Sequence, residues 1–156
     1  MDSQQTDFDE ARRKAESGSV VNQGYVGWCY LYGRETGVNY AEALRWLSAA
    51  AYEGRASRAF VHLGDMYAAG LGVAKSLSEA IRHYKAVVSS ELRAQLALAR
   101  IYSKGDGVKA DPNEASRLYS SLASCNQLHD DPAVAAFAGA LTTAEVEEAK
   151  SFIRKH

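Results

Sequence analysis

The sequence predicts an all-α protein built from repeated helical hairpins, because one pattern of apolar residues and glycines recurs along it. Segments 59–73 and 94–108 align without a gap at an offset of 35 residues, and both place apolar residues at helical spacing before a pair of glycines. A third copy lies upstream, with Tyr30, Gly33 and Gly37 at the matching points. In that copy the alignment requires two extra residues between the glycines and two fewer directly after them.

Helix-start signals follow each pair of glycines. An N-capping side chain stands three residues before a glutamate, which is a capping box or a close variant of one. The three pairs are Asn39 and Glu42, Ser76 and Glu79, and Asp111 and Glu114. Each unit is therefore predicted to consist of helix A, a glycine-rich loop, helix B and a short return.

Small residues and tyrosines on helix A have packing roles in this prediction. A small side chain would let helix B approach closely at three equivalent positions, Gly27, Gly64 and Ala99. Helix A is expected to end at a left-handed glycine, in turn Gly33, Gly70 and Gly105. The tyrosines of its last turn are expected to be core aromatics, namely Tyr30, Tyr67 and Tyr102.

The recurring pattern A-x-x-x-L-G-x-x-Y-x-x-G-x-G-V, followed by a polar N-cap and A-x-x-W/Y-x-x-A-A, resembles the Sel-one-like repeat (SLR) family, a relative of the tetratricopeptide repeat (TPR). The resemblance implies a single domain over residues 1–156, folded as a right-handed α/α superhelix (solenoid) of about three hairpins. The hairpins are expected at residues 20–54, 57–90 and 91–125. Departures are local, such as Ala99 in place of the usual glycine.

Capping helices are expected at both ends of the repeats. Residues 7–18 are predicted to form a lone helix B with Phe8 and Ala15 on its apolar stripe. Residues 131–156 are expected to hold the carboxy-terminal capping helices, the last of which starts at a capping box on Thr142.

The composition narrows the functional class. The formal net charge is −1, from 18 basic and 19 acidic residues, so nucleic acid is not an expected partner. No apolar run approaches the roughly 20 residues of a membrane span, and the amino terminus resembles no secretory signal, so we expect a cytoplasmic protein that binds no membrane. Cys29 and Cys125 are expected to be reduced, because they lie far apart and belong to no metal-type spacing.

The sequence predicts no catalytic or metal-binding constellation, so we expect no enzyme activity, cofactor or metal. The four histidines include no pair at i+3 or i+4, and the glycine-rich loops lack the lysine of a phosphate-binding loop. Cys29 aligns with core positions, where a buried thiol is a poor nucleophile. The resemblance leaves one enzymatic alternative, a hydrolase like the secreted β-lactamase-like SLR proteins. Those proteins resemble frameworks with a disulfide in each repeat, and this chain has no cysteine pair within a repeat.

A partner-binding surface is expected on the A helices, which line the concave side of repeat stacks. In the first repeat Tyr25, Trp28 and Tyr32 share one helical face and are distinct from the predicted core aromatic, Tyr30. Exposed aromatic side chains are typical of binding hot spots. The alternative is that the amino-terminal helix covers them. The other A helices extend the predicted site with Phe60, His62, Asp65 and Arg100.

The function implied by the resemblance is a protein–protein interaction module that acts as an adaptor, scaffold or regulator. An alternative is a bacterial immunity-type protein that sequesters and neutralises a toxin or effector. A third class is a structural subunit whose aromatic stripe is a self-interface. We expect a monomer or a weak homo-oligomer with a protein partner.

Overall fold

The computed structural model describes residues 3–125 and 140–155, so the predicted capping segment at 131–139 lies outside the described residues. The described residues form eight α-helices, which confirms the all-α helical-repeat fold. Their bounds are α1 Ser3–Glu16, α2 Val20–Tyr32, α3 Tyr40–Ser48, α4 Ser57–Ala69, α5 Leu77–Val87, α6 Leu92–Lys104, α7 Pro112–Ala123 and α8 Thr143–Lys155. A five-residue π-helical turn, Ala49–Glu53, continues α3.

The chain divides into two compact units, Met1–Ser76 and Leu77–His156. In the first unit α2 packs against both α1 and α3. In the second unit α7 packs against both α6 and α8. Helix α1 begins at Ser3, earlier than the predicted start at residue 7.

The connection from helix A to helix B has the same geometry in all three repeats. Helix A ends at a glycine with a left-handed backbone, with φ of 66° at Gly33, 72° at Gly70 and 67° at Gly105. The residue that begins helix B then donates its backbone N–H to the carbonyl of the tyrosine in helix A. These bonds are Asn39 to Tyr30 at 2.9 Å, Ser76 to Tyr67 at 2.9 Å and Asp111 to Tyr102 at 3.0 Å.

Side-chain capping accompanies this backbone link at Asn39 and Asp111. The Asn39 side chain accepts the backbone N–H of Glu42 at 3.1 Å. The Asp111 carboxylate accepts the backbone N–H of Glu114 at 3.0 Å. Each bond satisfies one of the donors that the first turn of a helix leaves open, as the sequence predicted.

The second left-handed residue of each loop corrects the predicted alignment of the first repeat. Gly72 and Gly107, each two residues after the helix-ending glycine, have φ of 69° and 71°. In the first repeat this position is Glu35, with φ of 59°, and Gly37 has no positive φ. The three loops therefore have equal length and no residues are inserted. The sequence alignment was wrong because it assigned the position to a glycine, the residue that normally adopts this conformation.

In the first repeat, Gly27 lets helix B approach closely, as the sequence predicted. A β-carbon added at Gly27 would lie 2.7 Å from Cγ of Leu47 and 3.1 Å from its backbone nitrogen. On another side of α2 the Phe8 ring of α1 meets Tyr30 edge-on, with centroids 5.5 Å apart. Tyr30 is a core aromatic as predicted, whereas Tyr67 and Tyr102 are only half-buried.

We predict opposite effects for two glycine substitutions in α2. Gly27→Ala should lower the free energy of unfolding by about 1–3 kcal/mol, because the new methyl overlaps Leu47 and its backbone cannot withdraw freely. Gly24→Ala is the matched control. No atom lies within 4 Å of its added β-carbon, so it should raise stability by about 0.5–1 kcal/mol through helix propensity. Urea unfolding measures both, and equal destabilisation by the two variants would contradict the packing argument.

Candidate functional site

Four rings from two helices form a continuous row in the first unit, called the aromatic row below. Tyr25 stacks on Trp28 with centroids 6.0 Å apart, and Trp28 meets Tyr32 at 6.0 Å, all within α2. The row continues to α4, where His62 meets the Tyr32 ring edge-on at 6.0 Å. The structure therefore brings together four of the seven residues that the sequence proposed as a site.

The exposure of the aromatic row differs from the expectation of an exposed stripe. Trp28 is 7% exposed and His62 is 3% exposed, so that expectation is wrong for both. Tyr32 remains 37% exposed, and Tyr25 is half-buried. Within the row, Tyr25 and Tyr32 both contact the Trp28 indole, and the His62 ring contacts Tyr32.

Val21 adds an exposed apolar side chain to the same face of α2 and was not predicted. It is 81% exposed and lies four residues before Tyr25 and seven before Trp28, so the three share one helical face. Position i−4 from a predicted site aromatic is the sequence signal that could have identified it. The accessible apolar part of this face is therefore Val21 and Tyr32, with the buried rings behind them as support.

Glu35 is a second residue that the sequence analysis missed. The Tyr25 hydroxyl donates to Oε1 of Glu35 at 2.6 Å. The other carboxylate oxygen, Oε2, is buried and accepts no hydrogen bond. The left-handed backbone of Glu35 holds this carboxylate beside the end of the aromatic row.

Burial controls the acid–base chemistry around this carboxylate. Burial, and then the hydrogen bond to Glu35, raise the pKa of the Tyr25 hydroxyl above its usual value of 10.0. Burial raises the pKa of the Cys29 thiol to about 12. Both groups therefore keep their protons at neutral pH, and Cys29, which is fully buried, is not an activated nucleophile.

The remaining predicted residues of α4 lie apart from this arrangement or at its margin. The Phe60 ring packs edge-on against Tyr52, which follows α3, with centroids 5.4 Å apart. Asp65 is half-buried, three residues after His62 on α4. Phe60 thus contributes to packing between α4 and the π-helical turn.

Arg100 lies in the second unit, where its side chain pairs with the last helix, α8. Its Nε donates to Oε1 of Glu148 at 2.9 Å, and its Nη2 donates to Oε2 at 2.5 Å. Tyr119 donates to the same carboxylate at 3.0 Å. Arg93, seven residues before Arg100 on α6, donates two hydrogen bonds of 2.9 and 2.8 Å to Glu145, three residues before Glu148 on α8. These contacts attach α8 to α6 and α7. They also engage the Arg100 guanidinium, which the sequence predicted to contact a partner.

The described residues show no feature of a metal cluster, a disulfide or a membrane span. No group of three or more metal-ligating side chains lies together in residues 3–125 and 140–155. Cys29 and Cys125 are both reduced, with no disulfide at either. Among the described helices, none combines the length and apolar character that crossing a bilayer requires.

Comparison with known proteins identifies one family. The family model described as Sel1 repeat matches residues 23–54, 61–86 and 92–127. The crystal structure of a Sel1 repeat protein from Oxalobacter formigenes is 34% identical, covers 96% of this chain and 98% of that chain, and has a TM-score of 0.65. The crystal structure of c5321, a protective antigen of uropathogenic Escherichia coli strains that displays an SLR fold, is 26% identical and has a TM-score of 0.67. That match covers 95% of this chain and 33% of that one. No curated protein matches the sequence.

The strained position of Glu35 gives a stability prediction. Glu35→Gly should change the free energy of unfolding by no more than about 1 kcal/mol, because relief of the left-handed backbone offsets the lost bond to Tyr25. Gly72→Ala, at the equivalent position of the second repeat, should destabilise by more than about 1 kcal/mol, because its β-carbon would lie 2.6 Å from Cβ of Tyr40. Thermal unfolding of both variants checks this. A loss for Glu35→Gly as large as that for Gly72→Ala would mean that Glu35 is required for folding.

The Arg100 pair predicts a specific acid sensitivity. The hydrogen bond from Arg100 lowers the pKa of Glu148 below its usual value of 4.5, so its contribution to stability is present above that value and is lost as the pH falls through the lower, folded value. Glu148→Gln should remove that part of the pH dependence, about 0.5–1 kcal/mol after allowance for solvent screening.

The matched control is the neighbouring, more exposed pair of Glu147 and Lys150. Between about pH 7 and pH 3, the urea midpoint of Glu147→Gln should fall more than the urea midpoint of Glu148→Gln. Identical declines for the two variants would contradict a special role for the Arg100 pair.

Proposed function

The chain belongs to the Sel1 repeat family, and from that membership we propose that it is a non-enzymatic module that binds a protein partner. Sel1-like repeat proteins generally mediate protein–protein interactions. The proposal places the contact on the A-helix face of the first repeat, at Val21, Tyr32 and the rings behind them. An adaptor, scaffold or regulator would each use such a surface.

The observation that carries the proposal is an aromatic row in which Tyr32 is held between buried rings and is itself exposed. Tyr32 is 37% exposed while its neighbours Trp28 and His62 are almost fully buried, so its ring is held in place before a partner arrives. A pre-ordered aromatic anchor loses little side-chain entropy on binding, which is the condition under which such residues become hot spots.

The chemistry of the buried groups supports a binding role over a catalytic one. The Cys29 thiol is protonated and buried, and Tyr25 is held in its neutral form. Neither Cys29 nor Tyr25 is therefore poised as a nucleophile or a base.

A capture experiment tests the proposal. The full chain is used as bait in lysate from its own source, beside the variant Val21→Ser with Tyr32→Ala, and retained proteins are identified by mass spectrometry. Both substitutions remove exposed side chains and leave the buried Trp28 in place, so helical circular dichroism should be unchanged. We expect the partner to be retained at least about tenfold less by the variant, the loss typical of one hot-spot residue.

Tyr52→Ala is the matched control, because Tyr52 is 52% exposed and lies on the π-helical turn after α3. This variant should retain the partner. If the double variant binds as well as the native chain, the A-helix face is not the site. A toxin-like enzyme as the specific partner would support the neutralising, immunity-type role, and a second copy of this chain would support a self-interface.

A further inference from the structure

Glu35 stands in a backbone conformation that its side chain does not favour. Its φ of 59° lies in the left-handed region, where a residue with a β-carbon is strained relative to glycine. The equivalent loop positions of the other two repeats are the glycines Gly72 and Gly107. A strained residue at a position where the same chain elsewhere uses glycine indicates a role for its side chain that folding does not require.

Only one of the two carboxylate oxygens of Glu35 accepts a hydrogen bond. Oε1 accepts the hydroxyl of Tyr25 at 2.6 Å, while Oε2 is buried without a hydrogen-bond donor. A buried carboxylate oxygen without a donor destabilises the folded protein, and a ligand that supplies the donor recovers that free energy. Glu35 as a whole is half-buried, so the residue borders solvent, and a ligand reaches the buried Oε2 only when the side chain turns outward.

The surroundings of this carboxylate are aromatic. The Tyr25 ring that holds Glu35 stacks on Trp28, and Tyr32 follows along the row. Aromatic faces beside a carboxylate favour a flat cation, because the guanidinium group can stack on a ring while its N–H groups donate to the oxygen. An ammonium group would gain the charge interaction with less stacking.

We propose that Glu35 and the neighbouring aromatic row bind an arginine side chain of the partner protein. This inference rests on the proposed function and specifies the chemistry of the same surface. Val21 and Tyr32 supply the apolar contact, and Glu35 supplies the charge that selects a basic segment over a neutral one.

A ligand titration on the full chain tests the proposal without knowledge of the partner. N-acetyl-arginine methylamide is added to the nitrogen-15-labelled protein, and the amide signal of Glu35 and the indole signal of Trp28 are followed by NMR. The matched ligand is the citrulline derivative, which has the same shape and no charge. We expect saturable shifts at both signals in about the millimolar range for the arginine ligand. The citrulline ligand should bind at least about tenfold more weakly, as expected when a charge-assisted bond is lost.

Variants of Glu35 test whether arginine binding depends on the carboxylate itself or only on the intact fold. Glu35→Gln keeps a side chain that can accept from Tyr25 and should weaken arginine binding about tenfold. Glu35→Gly should weaken it similarly. Gln95→Leu, in the second unit, is the control that should bind arginine as the native chain does.

The inference fails if the arginine ligand produces no saturable shift, if citrulline binds equally well, or if Glu35→Gln binds like the native chain. The proposed function has a separate readout. A captured partner that is lost with the Val21 and Tyr32 substitutions but retained by Glu35→Gln would support the A-helix face and overturn the arginine site.

Discussion

The structure depends on one recurring connection, the backbone link that turns each helix A into the following helix B. A left-handed residue ends helix A, and the capping residue of helix B donates its N–H to the carbonyl of the last-turn tyrosine, as Asn39 does to Tyr30 at 2.9 Å. This link fixes where helix B begins relative to helix A. It also satisfies backbone groups that both helix ends would otherwise leave open. Close packing then becomes possible at Gly27, where Leu47 occupies the space that a β-carbon would need.

Because the link and the packing use only some positions of helix A, the others are free to differ between repeats. One equivalent position holds Trp28 in the first repeat and Arg100 in the third. Trp28 lies between Tyr25, on which it stacks, and Tyr32, whereas Arg100 is paired with Glu148 of the last helix. The third repeat thus uses this face to attach the end of the chain, and the first repeat keeps an apolar face with an exposed edge. We attribute the binding role to the first repeat for this reason.

The sequence predicted most of the fold because the repeat signals are local and occur several times. The caps on Asn39 and Asp111 and the helix-ending glycines are short-range devices, and all were confirmed. The site was harder to predict, because exposure depends on how rings from different helices meet. Helical spacing placed Trp28 on the correct face, but only its contacts show that it is buried. Glu35 was missed because a left-handed glutamate has no sequence signature, so the alignment favoured Gly37.

The central claim is that the A-helix face of the first repeat, with Glu35 at its edge, is the partner-binding surface. Hydrogen exchange of the backbone amides, measured for the chain alone and with its captured partner bound, tests this most directly. The account predicts that binding slows exchange in α2 and in the loop that contains Glu35, while α7 and α8 exchange at unchanged rates. Slower exchange confined to α7 and α8, with α2 unaffected, would contradict it.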